Sequence, residues 1–215
     1  MNKEFIKRIF SSIILAPIAL YFIIKGSFLF NFFLLICFII TICEWHMMSK
    51  KKFYYIFGFI FLIFSFYTVY YLRNYEGNDY TFFLLVIITC VAADIGGYIF
   101  GKIFKGPRLT KISPNKTYAG MFGSFLLPII FTNLFLNNRD FLGLGNNIEM
   151  QLNLFIIVLL TSFISQIGDL IISIFKRRSK IKNTGKMIPG HGGLLDRIDG
   201  MIFAFPFVYI LTKIL

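Results

Sequence analysis

The stretch LNLFIIVLLTSFISQIGDLIISIF, residues Leu152–Phe175, decides the fold. It runs for 24 residues with one charged side chain, Asp169, and the basic segment Lys176–Arg178 follows it directly. A helix needs about 20 mostly apolar residues to cross the hydrocarbon core of a bilayer. The stretch therefore predicts a membrane-spanning helix that ends at a charged aqueous surface.

Apolar runs of this kind recur along the whole chain. Of its 215 residues, 57% are hydrophobic and 15% are charged, whereas soluble domains carry about 25% charged residues. This composition excludes an ordinary water-soluble protein. It predicts an all-α fold, a polytopic transmembrane helical bundle of about seven spans (six to nine allowed), in one integral-membrane domain, 1–215. The predicted spans are Ile9–Ile24, Phe28–Cys43, Phe53–Leu72, Tyr80–Phe104, Ala119–Leu136, Leu152–Phe175 and Ile198–Leu215.

The basic residues lie between the apolar runs and alternate between the two sides of the membrane. With Lys102 counted in the loop that it adjoins, one side holds 18 of the 22 Lys and Arg residues. Because positively charged loops stay in the cytoplasm, the N-terminus and the loops 105–118 and 176–197 are predicted to be cytoplasmic, in a multi-pass protein of the cell (inner) membrane. The net charge of +12 then indicates contact with lipid headgroups or phosphates, and no nucleic acid is expected.

Cysteine and histidine usage excludes two other kinds of site. The three Cys residues lie in or beside apolar runs, a pattern typical of neither a disulfide framework nor a zinc site. The two His residues are too few for a His-rich metal centre. Candidate chemistry must therefore come from carboxylates and cations.

Two aspartates lie inside predicted spans, where an ionisable side chain is costly and normally faces a polar interior. Asp94 precedes Lys102 by eight residues and Asp169 precedes Lys176 by seven, which places both about 10–12 Å inside the cytoplasmic end. Asp169, Ser173 and Lys176 share one helix face and form a polar stripe towards the cytoplasmic loop. An interhelical hydrogen bond or ion pair of purely structural value is the alternative interpretation of each aspartate.

Two further carboxylates, Asp196 and Asp199, are three residues apart at the cytoplasmic start of the last span. In a helix both would point the same way. Mg²⁺ prefers oxygen ligands and often binds substrate phosphates as well, so Asp169, Asp196 and Asp199 predict a one- or two-metal centre. A second cation is left open. The alternative is a pair of acidic residues that favour a helix N-terminus.

The segment between these carboxylates and the long apolar run is rich in glycine and cations. It contains PGHGG, residues 189–193, which leaves little side-chain bulk, so backbone N–H groups can approach an anion closely. The basic segment 176–182 precedes it. A second loop, residues 113–120, adds Ser113 and Lys116. Ordinary topogenic lysines and a turn would also explain that second loop.

At these residues the sequence resembles the integral-membrane phosphatidate cytidylyltransferases, also called CDP-diacylglycerol synthases. The family signature runs from a Ser through Lys-Arg to Pro-Gly-His-Gly-Gly and Asp-Arg-x-Asp. The resemblance covers about residues 90–200, the predicted catalytic part, whereas the spans within 1–75 match only in being hydrophobic. The signature residues here are Ser173, Lys176, Arg177, Lys182, Pro189, Gly190, His191, Gly192, Gly193, Asp196, Arg197 and Asp199; Gly168–Asp169, Ser113–Thr117 and Asp94 with Gly97–Tyr98 and Gly101 match further family segments.

The resemblance implies transfer of CMP from CTP to phosphatidic acid, with CDP-diacylglycerol and pyrophosphate as products, in phospholipid biosynthesis. CTP, phosphatidic acid and the bilayer are the implied partners, Mg²⁺ is the implied cofactor, and a homodimer is left open. The catalytic residues implied are Asp169, Lys176, Arg177, His191, Asp196 and Asp199, with Asp169, Asp196 and Asp199 on the metal. The substrate-binding residues implied are Ser173, Lys182, Gly190, Gly192, Gly193, Arg197, Lys116, Ser113 and Asp94.

The chain departs from the family pattern at two positions. Asn183 stands where the family usually has Asp after the Lys, and Ala119 stands where it usually has an acidic residue before the Gly. Two other functions are retained as alternatives. A relative of the CTP-dependent polyprenol or dolichol kinases would transfer the γ-phosphate to an alcohol, and a small multi-pass transporter would use Asp94 and Asp169 along an ion path.

Overall fold

The fold is that of a computed structural model, which describes residues 15, 17–50, 52–74, 80–109, 116–140, 143–144, 148–185, 187 and 192–214. Over these residues the regular secondary structure is helical, and isolated bridge residues occur at Arg108, Thr117 and Gly192. The predicted all-α class is therefore confirmed. The helices are α1 (17–25), α2 (Ser27–Ser49), α3 (Tyr55–Asn74), α4 (Thr81–Phe104), α5 (Tyr118–Leu136), α6 (Leu152–Arg178), α7 (Leu195–Ile198) and α8 (Met201–Ile214).

Among the described residues, the five helices α2 to α6 are long and apolar enough to cross a membrane. The first predicted span, Ile9–Ile24, is described only at residue 15 and from residue 17 onwards. Helix α2 extends six residues beyond the predicted Cys43 and so includes Glu44. The last predicted span begins differently from the prediction, since α7 and the shorter apolar helix α8 are separated at Asp199 and Gly200.

Glycines bring α4 and α5 into close contact. A Cβ atom on Gly120 would lie 2.8 Å from the carbonyl oxygen of Gly97, and one on Gly123 would meet the backbone of Gly96. Only glycine permits backbones to approach this closely in a membrane bundle. The pairing places the chain just before α5, which carries Lys116, beside the C-terminal half of α4.

A second close contact joins α6 to the start of α8. A Cβ atom on Gly168 would lie 3.0 Å from the carbonyl oxygen of Asp199, and one on Gly200 would meet Ser165. The break between α7 and α8 therefore lies directly against α6. This contact brings Asp199 next to the Gly168–Asp169 pair of α6.

The C-terminal ends of α2 and α6 lie on the same side of the bundle. The Trp45 ring packs edge-on against Phe175 with centroids 5.4 Å apart, and the Ser179 hydroxyl donates to the carbonyl of Met48 at 2.8 Å. The chain that directly follows α6, residues 179–185, therefore meets the end of α2. This placement agrees with the alternation of loops predicted from the basic residues.

Candidate functional site

The first part of the site is an ion pair between α6 and the segment before α5. The Lys116 ammonium contacts the Asp169 carboxylate, and both side chains are partly exposed. Ser173, one turn further along α6, lies with its hydroxyl 3.4 Å from the same carboxylate. Asp169 and Ser173 thus share a face as their spacing predicts.

The second part is centred on Lys176 in the last full turns of α6. Its ammonium donates to Asp196 at 2.9 Å and lies 3.9 Å from a carboxylate oxygen of Asp199. The side chains of Lys176, Asp196 and Asp199 are 13%, 6% and 12% exposed. Charges buried to this degree cost free energy unless they are paired, so Lys176 stabilises two carboxylates that would otherwise repel each other.

The two parts meet where the Asp169 and Asp199 carboxylates interact electrostatically with each other. Asp94 on α4 lies within electrostatic range of Asp169, Lys116 and Arg197. Asp196 and Asp199 are therefore joined through Lys176, Asp199 interacts with Asp169, and Asp94 acts on Asp169 from α4. Three cations, Lys116, Lys176 and Arg197, are interspersed among them.

Asp196 also closes the loop that contains the glycine-rich motif. One of its carboxylate oxygens accepts hydrogen bonds from the backbone N–H groups of Thr184, at 2.8 Å, and Gly193, at 3.0 Å. Thr184 and Gly193, the two ends of this loop, are therefore held at the same carboxylate oxygen. Both ends are held beside Lys176.

A residue that sequence reasoning missed, Glu44 of α2, also contacts this loop. Its carboxylate accepts from the Thr184 hydroxyl at 2.9 Å and from the N–H groups of Leu194 and Leu195 at 2.9 and 2.8 Å. The residue is 3% exposed. The only sequence signal was an acidic residue at the end of an apolar run, next to Trp45.

Of the three predicted metal ligands, Asp169 and Asp199 are better suited to bind a divalent cation than Asp196. The carboxylates of Asp169 and Asp199 interact electrostatically with each other, and carboxylate oxygens are the donors that hard cations prefer. Asp196 has both oxygens engaged by Lys176, Thr184 and Gly193. Among the described residues, no group of three or more His, Cys, Asp or Glu side chains is arranged to hold a metal. The three-carboxylate centre stays a prediction.

The other predicted site residues are distributed around this cluster. Arg177, Lys182 and Arg197 are exposed, and Gly193 is buried. Gly192 has φ +91°, a backbone conformation that side chains other than glycine rarely adopt. Ser113, Gly190 and His191 lie outside the described residues.

Both departures from the family pattern lie close to the cluster. Asn183 is exposed and directly precedes the clamped Thr184, whereas Ala119 is partly buried in the first turn of α5. Because these two residues are Asn and Ala, the chain lacks the carboxylates that the family usually has at both positions.

Comparison with known proteins shows similarity along most of the chain. The sequence profile of the cytidylyltransferase family matches residues 52–215. A protein named phosphatidate cytidylyltransferase from Rickettsia bellii is 31% identical over 209 residues, which cover 95% of this chain and 89% of the relative.

Relatives of the same name from Staphylococcus epidermidis and Bacillus subtilis are 36% and 32% identical, over 63% and 66% of this chain. The chain spans about half the length of these two relatives, 50% and 51%. The similarity to the Rickettsia protein, by contrast, includes the helices before residue 52.

Proposed function

The chain belongs to the cytidylyltransferase family, and we propose from this that it is a membrane-embedded phosphatidate cytidylyltransferase. CTP and phosphatidic acid would be converted to CDP-diacylglycerol and pyrophosphate. One observation carries the proposal beyond family membership. The family signature residue Lys176 contacts both Asp196 and Asp199 at the end of a long apolar helix, where a lipid headgroup and a soluble nucleotide can meet.

The reaction needs positioning and charge neutralisation more than proton transfer. The lipid phosphate is already an anion, so one of its oxygens attacks the α-phosphorus of CTP, a new P–O bond forms and the bond to the β-phosphate oxygen breaks. The electron pair leaves with pyrophosphate. Fixed cations aimed at the phosphates stabilise the charge that develops in such a transition state. Lys116, Lys176 and the exposed Arg177 and Lys182 are the cations that the fold brings to this side.

A divalent cation, which we propose to be Mg²⁺, would be held by Asp169 and Asp199. When bound, it supplies positive charge that neutralises the triphosphate. The lysines that now pair with these carboxylates would then be available to phosphates. Asp196 would keep its structural contacts to the loop.

The orientation proposed from the basic loops puts this cluster at the cytoplasmic face of the cell membrane. CTP would then reach the cluster from the cytoplasm, and the acyl chains would enter from the bilayer. The exposed Arg178 would face the anionic headgroups of the membrane surface.

The test is a product assay with purified protein in detergent micelles that contain dioleoyl phosphatidate. CTP labelled in the cytosine and Mg²⁺ are added, and both lipid-linked cytidine and pyrophosphate are measured. We expect both products in equal amounts, and their loss with EDTA or in the Asp199→Asn variant. Formation of CDP without pyrophosphate would show a CTP-dependent kinase instead. Absence of both products from a folded, CTP-binding sample would contradict the proposal.

A matched control for Asp199→Asn is Asp140→Asn. Asp140 lies at the opposite end of α5 from Lys116, directly after the turn that ends the helix, and is far along the chain from every signature residue. We expect its substitution to leave product formation unchanged. Equal loss in both variants would point to general unfolding and would remove the support that Asp199→Asn gives to the site.

A further inference from the structure

Glu44 is a buried carboxylate that the proposed reaction does not use. It lies in α2, in the part of the chain where the family signature has no residues, and is 3% exposed. We propose that Glu44 is a positioning residue, which fixes Thr184 and Leu194–Leu195 on either side of the glycine-rich segment and so supports the binding of the nucleotide phosphates there. This inference rests on the proposed function for the identity of that nucleotide.

Glu44 is hydrogen-bonded on both sides of the glycine-rich segment, to Thr184 before it and to Leu194 and Leu195 after it. One oxygen accepts from the Leu194 N–H at 2.9 Å, and the other accepts from the Leu195 N–H at 2.8 Å and the Thr184 hydroxyl at 2.9 Å. Each of these donors lies 140 or more residues along the chain from Glu44. A hydrogen bond to a charged acceptor contributes about 1.5–3 kcal/mol, so three of them oppose any opening of the loop.

The carboxylate also explains two of the glycines. A Cβ atom on Gly185 or on Gly193 would lie 2.6 Å from the same oxygen of Glu44. A side chain at either position would force the carboxylate away from its donors. These glycines are therefore required for close approach of Glu44, in addition to any approach of a phosphate.

Glu44 acts on the reacting groups through Thr184 and Asp196. Thr184 donates its hydroxyl to Glu44 and its N–H to Asp196, and Asp196 in turn accepts from Lys176. A continuous chain of hydrogen bonds thus runs from α2 to the proposed phosphate-binding lysine. Loss of the Glu44 charge would loosen the loop ends and, through them, Lys176.

The experiment compares Glu44→Gln with the wild type and with the control Thr41→Val. Gln has the same shape but presents an NH₂ group to donors, whereas Thr41 lies one turn earlier, is fully buried and donates only to the Cys37 carbonyl of its own helix. The first measurement is hydrogen exchange of the peptide 192–197. We expect the Leu194 and Leu195 amides to exchange about 10- to 100-fold faster in Glu44→Gln, and not in Thr41→Val.

The second measurement is CTP binding and turnover. We expect Glu44→Gln to raise the Kd and the KM for CTP at least tenfold while the KM for phosphatidate changes less than threefold. Made alone, Thr184→Val should weaken CTP binding. Added to Glu44→Gln, it should weaken binding little further, since both substitutions disrupt the same hydrogen bond. Unchanged exchange, equal acceleration in all helices, or full additivity would each overturn the inference.

The two proposals fail in different ways. A wild-type protein that binds CTP but forms no CDP-diacylglycerol would contradict the proposed function, and the exchange and CTP-binding measurements would still decide the role of Glu44. A wild-type protein that forms both products, with a Glu44→Gln variant that binds CTP normally, would contradict the inference alone.

Discussion

The contact between Gly168 and the break before α8 makes a prediction about Gly168→Ala. The new methyl group would lie 2.5 Å from Cδ2 of Phe203 and 3.0 Å from the Asp199 carbonyl oxygen. Ordinary van der Waals contact lies at 3.4–4 Å, so the Phe203 ring must move by about 1 Å and the Asp199 backbone by several tenths of an ångström. Overpacking of this size costs about 1–3 kcal/mol of folding free energy.

The same displacement should lower activity, because it changes the position of Asp199 relative to Asp169 and Lys176. A misplacement of about 1 Å in a reacting constellation costs up to about 100-fold in rate. We therefore expect kcat of Gly168→Ala to fall about 10- to 100-fold. The assay is CDP-diacylglycerol formation in micelles, alongside thermal unfolding in the same detergent.

A second substitution tests whether this steric reason is correct. Phe203→Leu removes the ring that the methyl group meets, so the double variant should recover part of the stability lost in Gly168→Ala, with a coupling of about 0.5–3 kcal/mol. Additive losses, or a Gly168→Ala variant with wild-type kcat, would refute the argument that close packing at Gly168 sets the position of Asp199.

Three further predictions concern charge, packing and orientation. Lys116→Gln removes the ammonium that contacts Asp169, and we expect at least a tenfold loss of activity in the product assay. Ser162→Ala removes a hydroxyl that donates to the α5 backbone at 2.5 Å; we expect a loss of about 1 kcal/mol of stability in detergent unfolding, with little change in kcat. In a variant without native cysteines, Lys182→Cys should react with an impermeant thiol reagent only from the cytoplasmic side and Glu149→Cys only from the other; reaction from one side at both would contradict the orientation.

The alternatives retained from the sequence fare differently in the structure. An ion pair was the structural explanation for Asp169, and Lys116 does form one. However, Asp169 also interacts electrostatically with Asp199. A second carboxylate would not strengthen a purely structural ion pair between helices. The clustering of cations and carboxylates at one end of α6 favours an enzyme site over a path that would cross the bundle.

The helices were predictable from local sequence, because a run of about 20 apolar residues has one stable form in a bilayer. Asp169, Ser173 and Lys176 could likewise be placed on one face from their spacing alone. The end of α2 and the break at Asp199 and Gly200 were not predicted. Both depend on contacts with α6, and hydropathy does not register such contacts.

Sequence alone determined that this chain is a helical membrane protein, and which signature residues are candidates for chemistry. Only the tertiary structure showed which carboxylates accept hydrogen bonds from the loop and which carboxylates interact with each other. Asp196 is engaged by Thr184 and Gly193, and Glu44 enters the site from α2. Neither fact can be read from spacing, because each depends on groups that are far apart in the chain and meet only when the helices pack.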